Sequence, residues 1–480
     1  MVLKLITFIY ALWFFLTVKI HLIYPDYKEN AAGLQEPLGL LYIAAVLRKE
    51  KHGVSLIDMV FDSFKEVDKA ALESDLFILS ATSVLFNRSI AILKRIKKIN
   101  PKAICIIGGP HSTVDPEECL KEGFDYAFYG EGEKTIIDFI NVLKKRENKG
   151  NFEGVGGLIY KKGGKIIKNP PDDFVNIDSI PFPSRDLWDY DGYFKTGTTE
   201  IGMMATRGCP YNCFFCQPMV RNIFGSKMRI RSPKNVVDEI ERISRDYGYL
   251  FRDKLKIWFK DSTFTFSGLR WLQEFRDLLK ERKLDIDWGC HTRVNLVDEE
   301  VLKIMKDCGL SHISFGVESG SQDILNFYRK GITVNQIINA FNMCHKLKIK
   351  TFAYFMIGAP METKEDLNLT WKLIKRIKPD GLDMFTTTPY LGNDLYHYVV
   401  DNDLVVTDRV DEVCCMGDKF MIKMKHLTNG DLKKFKRKVY RYNNVRLLCK
   451  YLSSWENIKK LGSYFINRPT FVKNYLKKSI

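Results

Sequence analysis

Cys209, Cys213 and Cys216 stand in the run ATRGCPYNCFFCQ with the spacing CxxxCxxC. Three thiolates so placed in one tight loop can hold three irons of a cubane cluster and leave the fourth iron open to a ligand from a small molecule. A structural zinc ion would want a fourth protein ligand at tetrahedral geometry, and the neighbouring residues offer none. The chain has eleven cysteines in all. Most of the others, such as Cys105, Cys308 and Cys344, stand alone in apolar helix or strand patterns and read as buried thiols of a reducing compartment. Cys414 and Cys415 could reach a substrate as hydrogen-atom donors, although buried structural thiols fit ordinary usage better. No Ser-His-Asp arrangement or paired-carboxylate motif supports hydrolysis by acid and base.

Elements that could hold such a loop follow from the apolar pattern. At 480 residues the chain exceeds one ordinary core. Over about residues 19–150, short β-rich runs alternate with amphipathic helices: KIHLIY, VSLID, LFILS, AICIIG and YAFYG are the strands, with helices such as LGLLYIAAVLRKE and NRSIAILKRIKKI between them. Near-continuous apolar strands of this kind predict a doubly wound, Rossmann-like parallel sheet. Ligands of such sheets bind outside the carboxyl ends of the strands. Gly108 and Gly109 in GGPHST follow the fourth strand and Gly130 and Glu131 in GEGEKT follow the fifth, so their backbone NH groups could form anion nests. Glycine after a strand is also often just a turn. Residues 151–197 read as a linker, with LIYKKGGKII as a hairpin and IPFPSRDLWDY extended.

Alternation resumes over residues 198–395. Strands are expected at Gly202–Thr206, Lys256–Lys260, Asp287–His291, His312–Gly316, Thr351–Ile357 and Gly381–Thr386, with helices between them. Six βα units are too few for a closed eight-fold barrel, so a partial (β/α)6 barrel is predicted, with chemistry at the strand C-termini. The cysteine loop follows its first strand.

These motifs together resemble the radical S-adenosylmethionine enzymes that carry an N-terminal cobalamin-binding domain, a family that includes class B methylases, hopanoid methylases and the anaerobic magnesium-protoporphyrin ester cyclase. The resemblance runs from about Ile23 to Tyr396 and rests on EPLGLLYIAAVL, HGVSLIDM, GGPHST, GEGEKT, IPFPSRDL, TRGCPYNCFFC, RIRSPKNVVDEI, HTRVN, ISFGVESGSQDIL and FMIGAPMETKEDL. It implies that Cys209, Cys213 and Cys216 ligate a [4Fe-4S] cluster whose open iron takes S-adenosyl-L-methionine. Glu318 would bind the ribose hydroxyls or amino group of that molecule, Arg293 its carboxylate, and Gly358 and Phe215 its adenine, with Asp261 facing cofactor or substrate. Cobalamin would be held by Gly39, Ser80, Gly108, Gly109, Gly130 and Glu131. The DxHxxG string that supplies a histidine below cobalt in many such domains does not occur between Lys19 and Gly150, and His52 and His111 lie outside that context. The resemblance therefore implies cobalamin without a protein histidine ligand, or a domain that has lost cobalamin.

The implied reaction cleaves S-adenosylmethionine to a 5'-deoxyadenosyl radical that takes hydrogen from an unactivated carbon, which is then methylated. The alternative is oxidation, cyclisation or carbon-carbon coupling without net methyl transfer. Either outcome needs an external one-electron reductant of flavodoxin or ferredoxin type, and places the catalytic body in the cytoplasm. The net charge of +16 is concentrated in the mainly helical C-terminal region, 396–480: from Met421 onward sixteen Lys and Arg face only Asp431 and Glu456. Aromatics interleave with those cations, a pattern suited to a solvated helical cap, an anionic membrane surface or, least, a nucleic acid, for which no recognisable appended domain exists. Residues 1–18 are apolar except for Lys4, but Leu5–Val18 would span only about 21 Å as a helix, short of a bilayer core of about 30 Å. A shallow anchor, an overlong start and a buried extension all remain open for this segment. The two ends together suggest a lipid-like or other small-molecule substrate, with peripheral membrane contact.

Overall fold

A computed structural model describes residues 18–25, 36–145, 151–216, 221, 223–406 and 420–452. The apolar N-terminal run, Cys414, Cys415 and the last part of the basic tail lie outside the described residues. The chain divides into two compact units: Met1–Tyr190 with Arg207–Pro210 and Pro218–Arg231, and Asp191–Thr206 with Tyr211–Gln217 and Ser232–Ile480.

The first unit is built on a seven-stranded sheet ordered β2-β1-β3-β4-β5-β6-β7. Its parallel strands are β1 (Lys19–Tyr24), β2 (Gly53–Asp58), β3 (Leu76–Ser80), β4 (Ile104–Gly108) and β5 (Tyr126–Phe128). Side chains alternate across this sheet. Ile23, Phe77, Leu79 and Ile107 enter one core, and Ile20, Leu22, Ile78 and Ile106 the other. Both faces are buried, which is why the strands read as unbroken apolar runs. The segment expected to be a linker does more than connect. Its hairpin, β6 (Leu158–Lys162) and β7 (Lys165–Lys168), pairs antiparallel onto β5 and extends the sheet.

The second unit carries a six-stranded sheet in which all neighbours are parallel: β8 (Ile201–Met203), β11 (Leu255–Phe259), β12 (Ile286–Thr292), β13 (Leu310–Glu318), β14 (Lys350–Ile357) and β15 (Gly381–Thr386). The short strands β9 (Thr206–Arg207) and β10 (Arg229–Ile230) flank the cysteine loop in sequence. Along β12 the side chains alternate. Trp288 packs outward on Phe259, Phe264 and Phe275, while His291 meets Trp258 and Tyr354 on the opposite, lumen side. This is the partial barrel expected, with helices such as Pro233–Tyr247 and Lys364–Ile377 between strands. Ser232 caps the first of these helices and a Thr363–Asp366 capping box opens the second.

One helix ending recurs. Lys51, Lys283, Arg329, Lys348 and Asp403 have positive φ. In each case the next amide returns to a carbonyl five residues back: His52 to Leu47, Leu284 to Leu279, Lys330 to Leu325, Ile349 to Cys344 and Leu404 to Val399. These are Schellman turns closed by a charged residue where glycine is usual.

Candidate active site

The cysteine loop is fixed residue by residue. Asp261, just past the end of β11, accepts hydrogen bonds from the backbone NH groups of Ala205 (3.1 Å) and Thr206, the residues leading into the loop. Its carboxylate is therefore aimed at backbone, the natural use of a buried anion beside orphan amides. Gly208 has φ +94, and a Cβ there would collide with the Lys227 carbonyl, so only glycine fits before Cys209. The Cys209 amide reaches the Gly225 carbonyl at 3.4 Å. Beyond it, the Phe214 amide donates to the Tyr328 carbonyl at 2.9 Å and Asn393 Nδ2 donates to the Phe215 carbonyl at 3.2 Å.

Cys209, Cys213 and Cys216 are partly exposed, whereas Cys105, Cys119, Cys290, Cys308 and Cys344 are buried. Burial pushes the thiols of Cys105, Cys308 and Cys344 up to about 12, which makes them inert at neutral pH. Among the described residues no three His, Cys, Asp or Glu side chains are gathered closely enough to hold a metal ion as they stand, these three cysteines included. Three accessible sulfurs in one loop fit an iron-sulfur cluster with an open position.

Arg293, at the end of β12, serves the loop directly. Its Nη1 lies 3.4 Å from Cys213 Sγ, its Nη2 donates to the Lys330 carbonyl, and its guanidinium stacks 3.7 Å from the centre of the Tyr211 ring. Positive charge thus sits beside the Cys213 sulfur. Glu318, where a register shift ends β13, has φ +62, an uncommon backbone state found often at functional sites. Lys330 Nζ donates to its carboxylate at 2.6 Å, and both side chains are buried. The left-handed turn at Arg329 is what swings Lys330 back toward Glu318.

Gly358 has φ +91, and its amide donates at 2.5 Å to Glu362. Glu362 is fully buried, accepts a second bond from the Ala359 amide and leaves Oε1 without a partner among the described residues. Burial raises its carboxyl to about 8. Lys330, Glu362 and Tyr211 were not singled out in the sequence. The one legible signal was the glutamate four residues after Gly358 in GAPMET. Phe215 packs edge-on against Tyr328 at 5.1 Å.

The barrel lumen is lined by rings. Trp258 stacks on His312 at 4.9 Å and meets His291 edge-on at 4.9 Å. His291 also packs on Tyr354, and Tyr354 on Phe385. Trp258 can lie across the lumen because Gly289 has no Cβ to block it. Trp258 Nε1 donates to His291 Nε2 at 3.2 Å, which leaves the imidazole proton on Nδ1. Burial lowers the His291 pKa to about 4, so this ring is a neutral hydrogen-bond donor at neutral pH.

At the carboxyl edge of the first sheet, four of the six residues expected to hold cobalamin lie at strand ends, Ser80 and Gly108, or in the loops just after them, Gly109 and Gly130. Gly109 has φ +89, and a Cβ there would lie 2.6 Å from Ser80 Oγ. The Gly130 amide donates to Thr113 Oγ1 at 3.2 Å, and Thr113 Oγ1 donates to the Gly109 carbonyl at 2.9 Å. Gly108 pairs with Ser80 across β3 and β4. Gly39 lies in the first turn of the helix Leu38–Lys49, where a Cβ would meet nothing within 4 Å. The Glu131 carboxylate is held by Arg207 and Arg229. The three histidines of this unit, His21, His52 and His111, are all buried. His111 packs 3.8 Å from the Phe86 ring, and burial lowers its pKa to about 4.

Comparison with known proteins agrees with both halves. Residues 203–374 match the Radical SAM superfamily and residues 26–140 match the B12 binding domain. The chain is 34% identical over 411 residues to the uncharacterized methyltransferase PH0819 of Pyrococcus horikoshii, covering 84% of this chain and 86% of that one. It is 27% identical over 402 residues to the anaerobic magnesium-protoporphyrin IX monomethyl ester cyclase of Rubrivivax gelatinosus, covering 80% of this chain and 70% of the cyclase. The solved structure of the cobalamin-dependent S-adenosylmethionine radical enzyme OxsB, with aqua-cobalamin and S-adenosylmethionine bound, shares the fold at a TM-score of 0.73 and 20% identity, covering 94% of this chain and 75% of that one. A glycine-cradled cysteine loop on a partial barrel, a cobalamin-type sheet and a relative matched over most of both chains converge on one conclusion: the chain belongs to the cobalamin-binding radical S-adenosylmethionine enzymes, with a [4Fe-4S] cluster, S-adenosylmethionine and cobalamin as cofactors.

Proposed function

We propose that this enzyme methylates an unactivated carbon of a small-molecule or lipid-like substrate seated in the ring-lined lumen. The observation that carries this reading is the chain of rings from Trp258 through His291 and Tyr354 to Phe385, which offers apolar surface and one neutral donor, His291 Nδ1. When bound, the cofactors supply one-electron cleavage of S-adenosylmethionine and a transferable methyl group.

The residues do the rest. Cys209, Cys213 and Cys216 hold the cluster. Arg293 steadies the loop through Cys213 and shares with Glu318 and Lys330 the recognition of the polar end of S-adenosylmethionine, while the Gly358 turn and Phe215 form its adenine side. Asp261 positions the strand that enters the loop. Ser80, Gly108, Gly109 and Gly130 would cradle cobalamin at the carboxyl edge of that sheet, and the cofactor would supply the transferable methyl group.

Likeness to the ester cyclase supports a second reading, oxidation or cyclisation without net methyl transfer. Incubation with methyl-labelled S-adenosylmethionine separates the two: label in product is expected, and label retained only in methionine and unreacted S-adenosylmethionine overturns methyl transfer. A flavodoxin or ferredoxin would serve as the cytoplasmic reductant. The described residues include no helix long and apolar enough to cross a membrane. Peripheral contact through the basic C-terminal helix Asn429–Leu452 is the membrane association proposed, and an enzyme left in the supernatant after sedimentation with anionic vesicles would exclude it.

A further inference from the structure

The two acids of GEGEKT, Glu131 and Glu133, are paired with arginines. Glu131 Oε1 accepts from Arg207 Nη1 at 3.1 Å and from Arg229 Nη2 at 2.6 Å, and Glu131 Oε2 accepts from Arg229 Nη1 at 3.0 Å. Glu133 Oε1 accepts from Arg207 Nη2 at 2.7 Å. Arg207, Glu131 and Glu133 are each at most 9% exposed and Arg229 is 17% exposed, so these are desolvated pairs rather than surface ones. All four belong to the first unit.

The two arginines bracket the start of the cysteine loop. Arg207 precedes Gly208 and Cys209 directly, with its guanidinium between the Tyr42 and Phe224 rings. Arg229 donates to the Phe224 carbonyl at 3.1 Å and to the Val175 carbonyl at 3.2 Å, and lies 4.3 Å from the Phe174 ring centre. The segment it holds, Phe224 to Lys227, is the shelf of carbonyls against which Gly208 fits and to which the Cys209 amide bonds. Glu131 therefore fixes the backbone that carries the first cysteine from both sides. Its pairing with Arg229 is bidentate, a guanidinium geometry that lysine cannot reproduce.

We propose that Glu131 and Glu133 are positioning residues for Cys209, acting through Arg207 and Arg229, and that the acids of GEGEKT serve the iron-sulfur cluster rather than cobalamin. The proposal rests on Cys209 being a cluster ligand. The test uses the full-length chain, purified anaerobically and reconstituted with iron and sulfide, as wild type, Glu131→Gln, Arg229→Lys and Cys209→Ala. Bound iron, the electron paramagnetic resonance spectrum of the reduced cluster, retention of hydroxocobalamin on gel filtration and thermal unfolding are measured for each.

Glu131→Gln and Arg229→Lys are expected to lower bound iron at least about two-fold and to alter the cluster spectrum, while cobalamin retention stays at the wild-type level. Full iron and an unchanged spectrum in both variants overturn the proposal, whether or not cobalamin is lost. If Glu131→Gln fails to fold, Arg229→Lys decides alone, because it keeps the charge and removes the fork through which Glu131 holds the Phe224 and Val175 carbonyls. Unfolding of both overturns the proposal in favour of a general stabilising role. Cys209→Ala that keeps a full cluster overturns the ligand assignment instead.

Discussion

Glu362 is a fully buried carboxyl with two amides on one oxygen and, among the described residues, no partner on the other. Its folded value of about 8 lies above the ordinary 4.5, so the native state binds a proton that the unfolded chain has released. Its contribution to stability is then fully present below about 4.5, declines as pH rises toward 8 and is gone above it, at a limiting slope of about 1.4 kcal/mol per pH unit. Glu362→Gln keeps an oxygen for the Gly358 and Ala359 amides and cannot ionise. Its melting temperature should exceed that of wild type by a margin that widens from pH 5 to pH 8. A constant difference across that range would show that Glu362 does not titrate there. The cysteines announced themselves by spacing, whereas Lys330 had no signal in the sequence. Its meeting with Glu318 depends on a left-handed turn at Arg329, and arginine gives no hint of that conformation.

The strands of the first sheet were legible because both of its faces are buried and they present near-unbroken apolar runs. The loops at their ends were legible as glycine clusters but not as contacts. GGPHST shows the difference. Gly109 must be glycine because of its positive φ and the nearness of Ser80 Oγ. Gly109→Ala should destabilise the first unit by about 1–2 kcal/mol and weaken cobalamin retention, with the cluster spectrum unchanged. Gel filtration with hydroxocobalamin and thermal unfolding measure the two effects, and a variant that retains cobalamin as wild type does would remove Gly109 from the cradle. GEGEKT looked equivalent in the sequence. Its acids proved to be committed to arginines about 75 and 100 residues away, a distance over which local pattern carries no information. The hairpin after β5 was read correctly as a hairpin, but its pairing onto the sheet could not be, because edge pairing depends on what lies alongside.

Across the molecule, eight histidines are few enough to follow individually. Those of the first unit are buried and engaged: His21 with Ser55 and Phe77, His52 with the Val18 amide, His111 with Phe86. Reduced to the cobalt(II) state, the bound cobalamin should therefore show no nitrogen splitting from a protein imidazole in its paramagnetic resonance spectrum, and 15N labelling of histidine should leave that spectrum unchanged. Splitting that responds to the label would place one of these rings on cobalt. The division of labour between sheet and barrel was evident in the sequence, since each half carries its own periodicity.

The recurrent Schellman turns have a practical meaning for anyone who needs a hardier form of this oxygen-sensitive enzyme. Lys51, Lys283 and Lys348 are exposed and hold a left-handed conformation that glycine adopts without steric penalty. Exchanging each for glycine offers roughly 0.5–1 kcal/mol, and because they close different helices the gains should add. None of the three belongs to the cysteine loop, the lumen or the cofactor edges. The fold thus holds a reserve of thermal tolerance that can be drawn on without touching its chemistry.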